Sequence, residues 1–302
     1  LEHYFQPTTY HAAIGSHQPV LHVGDGDSIV TTTVDAHGFG QVGKSVTNGP
    51  NPQTGPFYVE AAQPGDTLQV TLDSISPNRD HGFTRQAIAL NVLDPGHPRH
   101  DLDPGLASWC IDLASSTSTI DIPGSQMGPM TVNLRPMLGC FGVAPDTGQS
   151  ISCATSGQHG GNMDYNGFVT GVKVYFPVFV EGALLHIGDG HAWQGDGEIL
   201  GTGIEVSMNV KITVQLHKGK KINWPRGEND QYIFTVGNAR PLDQAMQHAT
   251  SEMLHWLQSD FQIDERGAHF LLGTCVEYDL GNFFDPAYTM VCKLPKRVLP
   301  NA

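Results

Sequence analysis

A mainly β protein with a small α+β part, built as a β-sandwich or jelly-roll-like body with a C-terminal pair of helices, is the fold class this sequence predicts. Three observations carry that reading. Short apolar runs rich in β-branched and aromatic residues recur between 35 glycines and 20 prolines, which act as turn punctuation. Hydrophobic residues make up 39% of the chain and charged residues only 15%, the balance of a compact globular protein. Helical spacing of apolar residues, at Ala245, Ala249, Met253, Trp256 and Leu257, appears near the C-terminus. The 302 residues suit a single unit, residues 1–302, which could divide into a β body to about residue 238 and an α/β segment over about 239–302.

The run VLHVGDGDSIVTTTVDAHG, from Val20, reads as two strands around a Gly-Asp turn, followed by a polar loop holding Asp35 and His37. If the strand continues, period-two alternation sends Asp35 and His37 to one side, where they could serve one cation; a capped, glycine-rich loop is the alternative. Residues 41–56, QVGKSVTNGPNPQTGP, form a turn-rich loop suited to lining a pocket. The next stretch, FYVEAAQPGDTLQVTLDSISP, reads as strand, turn and strand. It faintly parallels VFVEGALLHIGD, so two similar hairpins are expected, with Glu60 and Glu181 at matching places. Asp25 and Asp66 are read as ordinary turn residues. Residues 78–130 are expected to be a loop-rich excursion with His81, His97 and His100 as surface or interface histidines. MTVNLRPMLGCFGVAPD, from Met130, looks like a strand running into a glycine-rich bend.

After Glu205 three strands are expected, then a helix over PLDQAMQHATSEMLHWLQSD. A second helix is expected over DERGAHFLLGTCVEY, N-capped by Asp264 and packed through Phe270, Leu271 and Leu272. YTMVCKLPKRVLP reads as a closing edge strand.

The stretch from Cys153 to Glu205 gathers the candidate chemistry. QHGGNMD sets His159, Asn162 and Asp164 among glycines; HIGDGHAWQGDGE does the same for His186, Asp189, His191, Asp196 and Glu198. These are read as two glycine-bent loops flanking a strand pair, GVKVYFPVFVEGALL. Imidazole beside carboxylate on such bends is how a hard or borderline cation is gripped. Density of ligand types, rather than a regular motif, carries the inference, because HExxH, CxxC and P-loop spacings are absent.

The blocks HGGNMD, FPVFVEGALLHIGDGHAWQGDGE and GTGIE, preceded by TGPFYVEAAQPGDTLQV and MLGCFGVAP, resemble the acetamidase/formamidase family of amide hydrolases, in the family's order from about Val20 onward. The chain departs from the family at Gly190 and at Ala61-Ala62, changes that leave the candidate ligands alone and bear on the substrate pocket. The resemblance implies hydrolysis of a short linear carboxamide to carboxylate and ammonia. It implies a divalent cation, Zn²⁺ by preference for a His and Asp mixture and Ca²⁺ as the second choice, held by Asp35, His159, Asp189 and His191. Glu198 or Asp164 would move the proton, with Asp164 alternatively a ligand; Asn162 would stabilise the oxyanion, and Glu60 is a weaker catalytic candidate. Cys153 could form a thiolate with His159, but it reads better as a buried structural cysteine. The rival reading is a non-catalytic β-sandwich module that binds carbohydrate through Ca²⁺, with Trp193 and Tyr165 stacking on a sugar; two imidazoles in the cluster speak against it.

A formal charge of −14 disfavours nucleic acid and anionic membranes as partners. No apolar run of ~18 residues is present for a transmembrane helix. Five cysteines without a close pair fit a reducing compartment, so a cytoplasmic location is expected, with export of a processed chain left open. The long loops and the C-terminal strand point to a homo-oligomer.

Overall fold

The computed structural model describes residues 1–98, 105–122 and 124–300. Two large sheets share one apolar core. A nine-stranded sheet is centred on Thr67–Pro77, Lys173–Pro177 and Met208–His217; a six-stranded sheet is centred on Met137–Gly142, Leu185–His191 and Thr54–Val59. Leu68, Val70, Phe176 and Ile212 of the first meet Phe57, Phe141, Leu185 and Ile187 of the second in a single buried cluster. This is the mainly β body read from the sequence, and two helices near the C-terminus complete it.

The parallel stretches FYVEAAQPGDTLQV and VFVEGALLHIGD are not hairpins. Thr54–Val59 lies in the six-stranded sheet and Thr67–Pro77 in the nine-stranded one. The second stretch makes the reverse passage, from Lys173–Pro177 to Leu185–His191. Each turn therefore carries the chain from one sheet to the other. The partners then pair across: Lys173–Pro177 runs antiparallel to Thr67–Pro77, and Leu185–His191 antiparallel to Thr54–Val59. Similar sequence reflects a similar corner, and Asp66 holds its turn by accepting the amide of Gln63 at 2.8 Å.

Other expectations are also corrected. The region 78–130 contains strands His81–Arg85, Leu106–Asp112 and Thr117–Ile120, which join Met130–Asn133 in a four-stranded sheet with Trp109, Ile111 and Ile120 buried. His81 is exposed and paired with Asp80, His97 is exposed, and His100 lies outside the described residues. Tyr288–Pro295 is an inner strand, because Glu277–Asn282 pairs on its other side and forms the edge.

Helix α1 (Leu242–Ser259) buries Ala245, Ala249, Met253, Trp256 and Leu257, the stripe expected from its spacing. Helix α2 (Glu265–Cys275) begins at Asp264, whose side chain accepts the Gly267 amide at 2.7 Å. It packs through Ala268 and Leu272, while Phe270 points to solvent at 68% exposure. The five cysteines are free thiols, with Cys140, Cys153 and Cys292 buried. No helix among the described residues is long and apolar enough to cross a membrane.

Candidate active site

Both glycine-rich runs expected as loops contain strands. Gly160–Asn162 and Leu185–His191 pair antiparallel with opposite sides of Met137–Gly142, whose residues are all buried. Glycine makes this approach possible. A Cβ on Gly139 would stand 2.2 Å from Asp164 Oδ1 and 2.8 Å from Asp189 Oδ2; one on Gly203 would stand 2.5 Å from the His191 ring. The missing side chain of Gly139 is the space into which the acidic groups converge.

Two sets of ligand atoms come within 4.8 Å of one another: Asp189, His191 and Glu205, and Asp164, His191 and Glu198. His191 is shared, and all five residues are buried. Its Nδ1–H donates to Gln194 Oε1 at 2.8 Å, which turns Nε2 toward the carboxylates. Nε2 then lies 2.9 Å from Glu205 Oε1 and 3.4 Å from Asp189 Oδ1. Gln194 is itself fixed, donating to the carbonyls of Asp164 at 2.5 Å and Gly281 at 3.3 Å. Asn282, at the end of the edge strand, donates to Asp164 Oδ2 at 2.9 Å and Glu198 Oε2 at 2.7 Å.

Backbone conformation marks the same place. Asn51, Asp164, Asp189 and Glu198 all have φ between 41° and 56°, in the left-handed region that costs a non-glycine residue ~1–3 kcal/mol. Asn51 donates to Asn162 Oδ1 at 2.9 Å and to Asp189 Oδ2 at 3.3 Å. The Asn162 amide donates in turn to Asp285 Oδ2 at 2.6 Å.

The electrostatics follow from burying so many carboxylates together. Burial, then the charges of Asp189 and Asp285, drives the Asp164 pKa well above its usual range. Burial and Asp164 do the same to Glu198. Burial pushes Glu205 and Asp285 to about 7. Burial opposes charge on His191, but Glu205 and Asp189 outweigh it and raise its pKa well above 6.5. Such a cluster needs protons or a cation.

The residues fit a divalent metal. His191 Nε2, Glu205 Oε2 and Asp164 Oδ1 are buried polar atoms without a hydrogen-bond partner, His191 belonging to both ligand sets, Glu205 to one and Asp164 to the other. One imidazole with carboxylates suits Zn²⁺, whose ligands are nitrogen, sulfur and carboxylate oxygen. Beside the cluster opens a cavity of about 170 Å³, lined by Asp189, Glu198, Glu205, Asn51, Asn162 and Asp285. The loop over 41–56 contributes Pro50 and Asn51 to its wall.

Of the residues singled out in the sequence, the fold brings together Asp164, Asp189, His191 and Glu198, with Asn162 at the edge of the cavity. It does not bring Asp35, His159 or Glu60 into either ligand set. Asp35 is buried but already partnered: Arg79 Nη2 lies 2.5 Å from Oδ2, and the amides of His37 and Phe39 donate to Oδ1 at 2.9 Å. It holds a loop, which is the alternative weighed for it. His37 lies on the cavity wall and stacks on Phe83. His159 is buried, its pKa lowered to about 4 by desolvation, and it stands outside both ligand sets. Glu60 is 57% exposed and paired with His22, far from any buried acid cluster in character. Sequence reasoning assigned no role to Glu205, Gln194, Asn282 or Asp285. Glu205 closes the GTGIE block, and its carboxylate is brought in because its backbone bridges both His191 and Phe83.

The Acetamidase/Formamidase family model matches residues 146–298. Over 86 residues the chain is 42% identical to an acetamidase of Mycolicibacterium smegmatis, covering 28% of this chain and 21% of that protein. Over 61 residues it is 48% identical to a formamidase of Methylophilus methylotrophus, covering 20% and 15%. The chain spans less than two thirds of the length of the curated relatives it matches. Its fold is similar to the crystal structure of an acetamidase from Yersinia enterocolitica, with a TM-score of 0.86 and 31% identity over 100% of this chain and 94% of that one. The matched residues 146–298 include Asp164, Asp189, His191, Glu198 and Glu205, and this chain belongs to the acetamidase/formamidase family.

Proposed function

We propose that the chain hydrolyses a short linear carboxamide to a carboxylate and ammonia at a divalent cation held by Asp189, His191 and Glu205. The observation that carries this reading is the buried convergence of four carboxylates on one imidazole, with Asp164, Asp189 and His191 around the space left by Gly139. When bound, the cation supplies Lewis acidity, which polarises a carbonyl and acidifies water. Gln194 fixes the His191 tautomer, so Nε2 presents its lone pair to the cradle.

Asp164 and Glu198 form the proton-handling pair. Each is buried beside the other's charge, so one carries a proton where an isolated carboxylate would not. The ionised member removes a proton from the attacking water as the new C–O bond forms. The protonated member delivers one to the amide nitrogen as the C–N bond breaks. Asn282 holds the two carboxylates in a fixed relation by donating to both. The amide of Asn162 is occupied by Asn51 and Asp285, which suits it to positioning the cavity wall rather than to stabilising an oxyanion. A cavity of about 170 Å³ favours amides with a short acyl group. Zn²⁺ is the cation this donor set favours. A homo-oligomer belongs to the same proposal, supported by exposed Phe39, Val42 and Leu90, and light scattering on the purified protein tests it.

The aromatic residues that a carbohydrate module would need are not displayed. Tyr165 is buried with its hydroxyl on Asp279, and Trp193 packs against the core. The test is ammonia release from formamide, acetamide and propanamide by protein as purified, stripped with chelator, and resupplied with Zn²⁺ or Ca²⁺. Loss on stripping and return with Zn²⁺ is expected. Full activity after thorough stripping would sink the cation-dependent step, and no release from any amide would sink the hydrolase reading.

A further inference from the structure

A second cavity, of about 370 Å³, opens where helix α1 meets the nine-stranded sheet. It shares no lining residue with the cavity beside His191. Its volume falls at the lower end of the ~300–1,000 Å³ typical of small-molecule sites. Tyr175, Trp256, Phe261, Ile222, Ile233 and Leu299 supply an apolar and aromatic lining.

The charged groups in its wall are unequally satisfied. Asp260 accepts from Lys220 and Trp256 on Oδ2, at 2.5 and 3.1 Å, and from Ser259 on Oδ1 at 2.7 Å. Glu228 accepts from Tyr175 on Oε1 and from Lys296 on Oε2, both at 2.6 Å. Each of these four oxygens accepts at least one hydrogen bond. Arg226 is 3% exposed; its Nε donates to Glu252 at 2.7 Å, but Nη1 has no hydrogen-bond partner. Asp260 Oδ1 lies 3.9 Å from Nη1, beyond hydrogen-bond reach. Arg226 Nη1 is therefore a donor of the cavity wall that is left without a partner. Lys220, Arg226 and Lys296 are matched by Asp260, Glu228 and the Glu252 that pairs with Arg226, so the free N–H of Arg226, and not a net charge, is what an incoming acceptor would meet. A buried guanidinium with a free N–H beside aromatic walls matches a carboxylate attached to an apolar body.

We infer that this cavity is a binding site for a small carboxylate with an apolar or aromatic body, its carboxylate on Arg226 and its body against Trp256, Tyr175 and Phe261. The site is independent of amide hydrolysis. A ligand there would bridge α1 to the strands Lys173–Pro177 and Arg226–Glu228.

The probe is 3-phenylpropanoate, compared with 3-phenylpropan-1-ol, and binding is followed by calorimetry and by tryptophan fluorescence. Wild type and Asp189→Asn should bind the carboxylate equally, and the alcohol at least tenfold more weakly. Two variants, each checked for native circular dichroism, should abolish or weaken carboxylate binding at least tenfold. The pair Arg226→Met with Glu252→Leu removes the guanidinium without stranding its buried partner, and Ile222→Trp fills the cavity while leaving Arg226 in place. Absence of saturable binding by wild type, equal affinity for the alcohol, loss of binding in Asp189→Asn, or undiminished binding in either folded cavity variant would overturn the assignment.

Discussion

Nε2 of His191 stands 2.9 Å from Oε1 of Glu205, and no hydrogen bond joins them. A hydrogen bond needs a proton on the line between donor and acceptor, whereas a shared cation needs only that both lone pairs face one point. Glu205→Gln should therefore lower zinc loading at least tenfold, and Gln194→Ala, which frees the ring, should lower it ~10–100-fold. Metal analysis after dialysis against a zinc buffer measures both. Full loading of Glu205→Gln would remove Glu205 from the ligand set.

Gly139 offers a second test of the same cradle. Its substitution by alanine places a methyl group 2.2 Å from Asp164 Oδ1 and 2.8 Å from Asp189 Oδ2. Overpacking of this kind costs about 1–3 kcal/mol in a well-packed interior. Gly139→Ala should remain folded with a lowered Tm, yet lose most of its metal and its amidase activity. A variant with normal metal content and normal turnover would show that the converging acids do not share an ion.

The ligand types in HIGDGHAWQGDGE and HGGNMD were legible in the sequence because polar residues crowded among glycines have few structural uses. Asp189, His191, Asp164 and Glu198 fall together accordingly. Strand and loop were confused there for one reason: glycines 160, 161, 188 and 190 serve close contact between buried segments, where a turn was the simpler reading. Glu205 and Asn282 reach the site by tertiary pairing, from segments with no local mark of chemistry. Asp35 illustrates the opposite error. Its guanidinium partner, Arg79, is 44 residues away, and nothing near Asp35 in the chain announces it.

That ion pair is itself testable. Asp35 and Arg79 side chains are 1% and 4% exposed, so removing the cation leaves a buried carboxylate without its counter-charge. Arg79→Met should cost about 3–5 kcal/mol in denaturant unfolding. Replacing both residues by apolar ones of similar volume should cost much less. Asp35→Asn should leave the number of bound metal ions per chain unchanged. A loss of metal stoichiometry in Asp35→Asn would return Asp35 to the ligand set.

Asp66 gives a pH dependence remote from the acid cluster. Burial raises its pKa, but Lys218 at 2.6 Å and the amides of Gly219 at 2.7 Å and Gln63 at 2.8 Å outweigh burial and leave it lowered. A carboxylate with a lowered folded-state pKa binds its proton less tightly when folded than when unfolded. Its stabilisation is thus complete above the unfolded value of ~3.9 and fades as pH falls through the folded value. Asp66→Asn should reduce unfolding stability at pH 7 by roughly 1–3 kcal/mol, the worth of hydrogen bonds to a charged group. The gap between wild type and variant should shrink as the pH is lowered below ~4. Urea titrations of both proteins between pH 3 and pH 7 measure this, and a gap that stays constant or widens toward low pH would show that Asp66 is not held in its charged form by the Lys218 turn.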